Sequence, residues 1–136
     1  MEETKLHRDI QDALFDVDKL CVTKECIAQL RRYRQMFPTK EARQRSKRSV
    51  FFQKFFSDLH QDAMICYLER AKGWPLNHMQ EHLARLEVDT QVNIAIAANW
   101  NHVIDFYSQW FDRLEQEFDR MYFTPGSAAQ QENNRW

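Results

Sequence analysis

At 136 residues with a formal net charge of −1, the chain is long enough for one buried core and carries no whole-molecule field that would draw it to nucleic acid or to a membrane surface. Two glycines and three prolines among 29% charged residues suit helices joined by short turns and argue against a sheet-rich fold. No apolar run approaches the ~18 residues of a membrane span. The acidic opening Met1-Glu2-Glu3-Thr4-Lys5 lacks the apolar stretch of a signal peptide, and Cys21, Cys26 and Cys66 lie in or beside apolar stripes, as expected of reduced thiols in a cytoplasmic protein.

Leu6, Ile10, Ala13, Leu14, Val17 and Leu20 recur at steps of three and four, which predicts a first helix from about Thr4 to Cys21, with Asp9, Asp12, Asp16 and Asp18 on its outer face. Cys26, Ile27, Leu30, Tyr33 and Phe37 form the next stripe. Thr23 is its expected N-cap and Pro38 its end, because a proline disfavours helix in the residue before it. Thr39 is placed to cap a third helix running to about residue 72. Its stripe is Phe51, Phe52, Phe55, Leu59, Ala63 and Cys66, and Met64, Ile65 and Leu68 add a second apolar face, the mark of a central helix. Gly73 fits a helix C′ position and Pro75 the first turn of a short helix to about Glu87, with Leu76, Met79, Leu83 and Leu86 inward. With Asp89 as N-cap, the last helix is expected over 90–123. Val92, Trp100, Val103, Tyr107, Trp110, Phe111, Leu114, Phe118 and Met121 fall in one stripe, and Asn101, Asp105, Ser108, Gln109, Asp112, Gln116 and Asp119 on the opposite side. Asn99 lies off the stripe and is expected in solvent. Residues 124–136 have the composition of a disordered tail.

Charge is unevenly placed. Arg31, Arg32, Arg34, Lys40, Arg43, Arg45, Lys47, Arg48 and Lys54 face a single acid, Glu41, within this segment. Extending the Phe55 stripe backwards puts Gln44 and Arg48 on the inward face, so the apolar face stops near Phe51. Residues 39–49 are therefore expected to project as a polar helical arm or to be partly disordered. Such an arm can contact an acidic protein surface, including the acidic first or last helix of a second copy. It can neutralise nucleic-acid phosphates. It can also be a solvated basic face balanced by acidic helices of the same molecule. The neighbouring Phe51, Phe52, Phe55 and Phe56 have core spacing rather than that of a base-stacking platform.

His78-Met79-Gln80-Glu81-His82 reads H-x-x-E-H, the pattern of inverted zincins. On a helix His78 and His82 share a face and can reach one zinc, with Glu81 near a bound water. A third ligand is needed, and the sequence does not single one out among His60, His102, Glu115 and Glu117. There is no glycine-rich phosphate loop, no nucleophile elbow and no paired Glu-x-x-His set of the di-iron bundles.

These observations predict an all-α bundle of four to five helices over residues 1–123, with two long antiparallel helices at its centre. The function they support is non-enzymatic: a small cytoplasmic adaptor or regulator acting through protein–protein contact, without a cofactor or membrane attachment. It is expected to be homodimeric, because long aromatic-rich helices in a short chain leave apolar surface for a second copy to cover. The alternatives are a nucleic-acid-binding accessory protein using residues 31–54 and, more remotely, a zinc hydrolase using residues 78–82.

Overall fold

The computed structural model describes residues 2–20 and 22–123. The expectations for Cys21 and for the tail at 124–136 lie outside them. Among the described residues there are six helices and no strand: α1 (Glu2–Ala13), α2 (Lys24–Met36), α3 (Lys40–Ser46), α4 (Val50–Arg70), α5 (His78–Ala98) and α6 (Trp100–Phe123). None of these is long and apolar enough to cross a membrane.

The first helix is shorter than its apolar pattern. It ends at Ala13, and the Asp16 carboxylate then accepts a hydrogen bond from the Asp18 amide at 3.0 Å. Aspartates expected on the outside of a longer helix turn the chain instead, because a short acidic side chain offers its own backbone a partner. Leu14 and Leu20 remain buried on either side of this turn. The second helix follows its pattern. Thr23 accepts from the Cys26 amide at 3.0 Å, and the helix closes at Phe37, before Pro38.

The predicted third helix is two. Thr39 caps α3 as expected, accepting from the Ala42 amide. Ser49 then accepts from the Phe52 amide and donates to the Ser46 carbonyl, so a second cap starts α4 afresh. Helix α4 is central: it packs against α1, α2, α5 and α6. Its inward face is rotated from the predicted stripe. Phe52, Phe56, Leu59, His60, Ala63, Met64, Tyr67 and Leu68 are buried, whereas Phe51 is exposed and Phe55 and Cys66 are half-buried. Phe56 meets Trp110 and Phe111 edge-on at ring separations of 5.8 and 5.6 Å, a geometry that adds about 0.5–1.5 kcal/mol per pair beyond area burial. Gly73, at φ +69°, makes the turn out of α4 that lets the Trp74 amide reach the Leu68 carbonyl at 3.0 Å.

The largest difference lies at 75–123. Asn77, not Pro75, begins the fifth helix, through a reciprocal capping box with Gln80. That helix does not stop near Glu87 but runs to Ala98, and Asp89 sits within it rather than capping a successor. The break falls at Asn99, which is extended (φ −161°, ψ 90°) and accepts from the His102 amide at 3.2 Å. A helix-compatible run without Gly or Pro is thus divided by one capping asparagine. Beyond the break α6 keeps the middle of the predicted stripe: Val103, Tyr107, Trp110, Phe111, Leu114 and Phe118 are all buried, whereas Trp100 is half-buried and Met121 exposed.

Candidate functional site

The basic segment does not form a projecting arm. Its helix α3 is held along the polar side of α6, the side expected to face solvent. Arg43 donates to Glu115 at 2.9 Å and to the Phe37 and Pro38 carbonyls at 3.0 and 3.1 Å. Arg34 of α2 reaches the other Glu115 oxygen at 3.1 Å and Asp119 at 3.0 Å. Lys47 pairs with Asp112 at 2.7 Å, and the exposed Arg48 with Asp105 at 3.3 Å. Arg43 and Lys47 are each only 9% exposed, and Ser46, buried between them, is hydrogen-bonded to the Tyr33 hydroxyl. The core boundary placed near Phe51 was therefore too late in the chain. An arginine or lysine can lie inward when its head meets a carboxylate and its stem covers an aromatic ring. Lys47 lies over Phe111 and Arg34 over Phe118.

The remaining basic residues go elsewhere. Lys40 and Arg45 are exposed on α3. Arg31 and Arg32 join Lys24, Ile27, Ala28 and Tyr122 around a groove of about 580 Å³ between α2 and the end of α6, with Arg31 over the Tyr122 ring.

His78 and His82 are exposed on the first turns of α5. None of the proposed third ligands joins them. Glu115 belongs to the α3 clamp, Glu117 pairs with Arg120, and His102 lies edge-on to Phe15. Among the described residues no three His, Cys, Asp or Glu side chains converge as a metal site would require.

His60 has an entirely internal role. Its Nε2 lies 2.6 Å from the Leu14 carbonyl and its Nδ1 3.0 Å from the Tyr107 hydroxyl. A carbonyl only accepts, so Nε2 carries the proton. Nδ1 then accepts from Tyr107, whose oxygen can accept from Ser57 at 3.3 Å. This neutral arrangement agrees with burial, which pushes the imidazole down to about 4 from its ordinary value.

The surface that stands out is on α5. Met79, Leu83 and Leu86, expected inward, are 71%, 51% and 51% exposed, and Ile94 is 64% exposed. The buried side is instead Ala84, Val88, Gln91 and Val92. Reading the helix as ending near Glu87 hid this, since Val88 and Val92 establish the inward face only when the helix continues. With Ala84, Val88 and Val92 inward, the larger aliphatic residues of α5 face outward. With Thr90 and Ala97, also exposed, the outward residues fall within about 80° around the helix. His82, Asp89 and Asn93 flank one edge. Ile94 leads into a groove of about 360 Å³ between α1 and α5, lined by His7, Gln11, Leu14 and Phe15. Part of the apolar surface is thus aliphatic and on α5, and Met36, Val50, Phe51, Met121 and Phe123 are exposed elsewhere. A stripe of seven-residue spacing over 79–97, read as an outward seam, is the signal that could have located it.

Comparison with protein-family models, curated proteins and solved structures finds no match to this chain.

Proposed function

We propose that this is a small non-enzymatic helical protein of the cytoplasm that works as an adaptor or regulator by protein–protein contact, with a homodimer as its basal assembly. One observation carries the reading: four large aliphatic side chains, Met79, Leu83, Leu86 and Ile94, are exposed on one face of α5. Apolar side chains grouped on one face mark an interaction site far better than singly scattered exposed residues do. Arg32, Lys40 and Arg45, exposed on α2 and α3, are proposed as polar contacts for an acidic partner. The test is Leu83→Glu with Leu86→Glu. Cross-linking in the native source should join the wild type to one defined protein, either another copy or a different chain, and the substituted protein should lose that product while keeping its helical content. Identical cross-linked products from both proteins would count against the reading.

A second reading has its own support. Lys24 and Arg32 are exposed beside the α2/α6 groove, a pair of cations that can hold a phosphate backbone. Retardation of a single-stranded probe, abolished by Lys24→Gln with Arg32→Gln, would favour it.

A further inference from the structure

We infer that the occupant of the α5 seam is a second copy of this chain, the two α5 helices lying antiparallel across a two-fold axis that passes between Leu83 and Leu86. This deepens the proposed reading and rests on it. The first support is size. Between positions 79 and 90 the seam is large at Met79, Leu83 and Leu86 and small at Thr90, while Ile94 lies beyond this stretch at the edge of the stripe. Parallel pairing would set large against large and small against small. Antiparallel pairing can set Met79 against Thr90 and mesh the leucines at the centre, as close packing of facing helices requires.

The second support is charge, which selects the register. Steps of four and three along the seam allow antiparallel registers only at seven-residue intervals. One places Leu86 opposite Thr90 and Met79 opposite Ala97, and it brings the two Asp89 carboxylates together at the axis. The register displaced by seven places Leu83 against Leu86 and Met79 against Thr90. At each end it sets His82 beside Asp89 of the second copy, so that an imidazole N–H donates to a carboxylate. Both residues are exposed, and within its own chain Asp89 accepts one bond, from Asn93 at 3.3 Å, which leaves its second oxygen for this contact. Like charges facing each other disfavour the first register and complementary groups favour the second.

Sedimentation of the full chain tests this. Wild type should be dimeric at ~100 µM, and Leu83→Glu monomeric there with an unchanged circular dichroism spectrum, since the dissociation constant of an ordinary stable dimer lies well below that concentration. Asp89→Asn should weaken the dimer roughly three- to tenfold, as expected for two symmetric pairs at a solvent-exposed rim. The Asp–Asp register predicts the opposite sign. Asp89→Lys should weaken it further, and His82→Glu added to Asp89→Lys should restore affinity to within about threefold, because the exchanged charges pair again. A dimer that survives Leu83→Glu, strengthens in Asp89→Asn, or is not restored by the exchange overturns the inference. A wild type monomeric at ~100 µM also overturns it. In that case, loss of a different cross-linked protein on Leu83→Glu would leave the α5 reading standing, and loss of none would remove both.

Discussion

His60 shows how one side chain can tie three parts of the chain together. It sits on α4, its Nε2 proton holds the turn after α1 through Leu14, and its Nδ1 accepts from Tyr107 of α6. Burial holds the imidazole neutral down to about pH 4, the state in which Nδ1 can accept from Tyr107. The unfolded chain, by contrast, takes up a proton near 6.5. Between those values the unfolded state binds more protons, so stability falls as pH drops from about 6.5 to 4 and the effect saturates below. The loss attributable to this residue should be on the order of 3 kcal/mol. Urea midpoints measured across that range should fall steeply for wild type and more gently for His60→Gln, which should in turn be less stable at neutral pH. The sequence showed His60 only as a candidate ligand. The stripe drawn through Phe55, Leu59 and Ala63 left it aside, whereas the face through Phe56, His60, Ala63 and Tyr67 contains it.

At the scale of elements, the notable contact is the clamp between α3 and α6. Glu115 takes Arg34 on one oxygen and Arg43 on the other. Glu115→Gln should leave the inward-facing Arg43 without its charge partner and lower stability by about 2–3 kcal/mol, somewhat less than for a fully dry pair. Arg48→Gln, which removes an exposed pair with Asp105, should cost about 0–1 kcal/mol. Thermal denaturation of the two variants side by side measures the contrast. If both changes are small, α3 is not held by its charges. The acidic side of the clamp was readable in principle: Asp105, Asp112 and Asp119 recur every seven residues on one side of α6, a rail spaced to receive a basic helix. Helix α6 itself was legible because large aromatics at helical spacing leave one packing solution. The boundary between α5 and α6 was not, because Asn99 acts through a local hydrogen bond that periodicity does not register. Asn99→Ala should therefore destabilise by about 1 kcal/mol, the usual worth of an N-cap, as judged by chemical denaturation.

For the whole molecule, the near-zero net charge conceals a row of ion pairs between the basic segment and α6, part buried and part exposed. Arg34, Arg43, Lys47 and Arg48 are matched to carboxylates of α6 within the chain, and on the α2/α6 groove the cations are Lys24, Arg31 and Arg32. Nucleic acid bound at this groove should therefore engage about two phosphates, through Lys24 and Arg32, with a salt slope of roughly −1.4 to −1.8 rather than the steeper value that the whole basic segment would give. Fluorescence anisotropy titrations at several salt concentrations measure that slope. The all-helical class and the central α4 followed from composition and from a two-sided apolar pattern. The outward seam on α5 was hidden because an aliphatic stripe at helical spacing reads as core whenever the helix's true length is unknown.

Trp110 gives this protein a built-in optical gauge. It is fully buried, and its indole N–H meets no acceptor among the described residues. An indole in so apolar a setting emits at the blue end of the tryptophan range. The His60 ring lies 5.8 Å away, and an imidazolium at that distance quenches indole fluorescence where a neutral imidazole does so far less. Acidification should therefore dim the blue component before the spectrum shifts to red. Dissociation of the proposed α5 dimer into intact copies should leave that component unchanged, so dissociation and unfolding can be told apart in one cuvette.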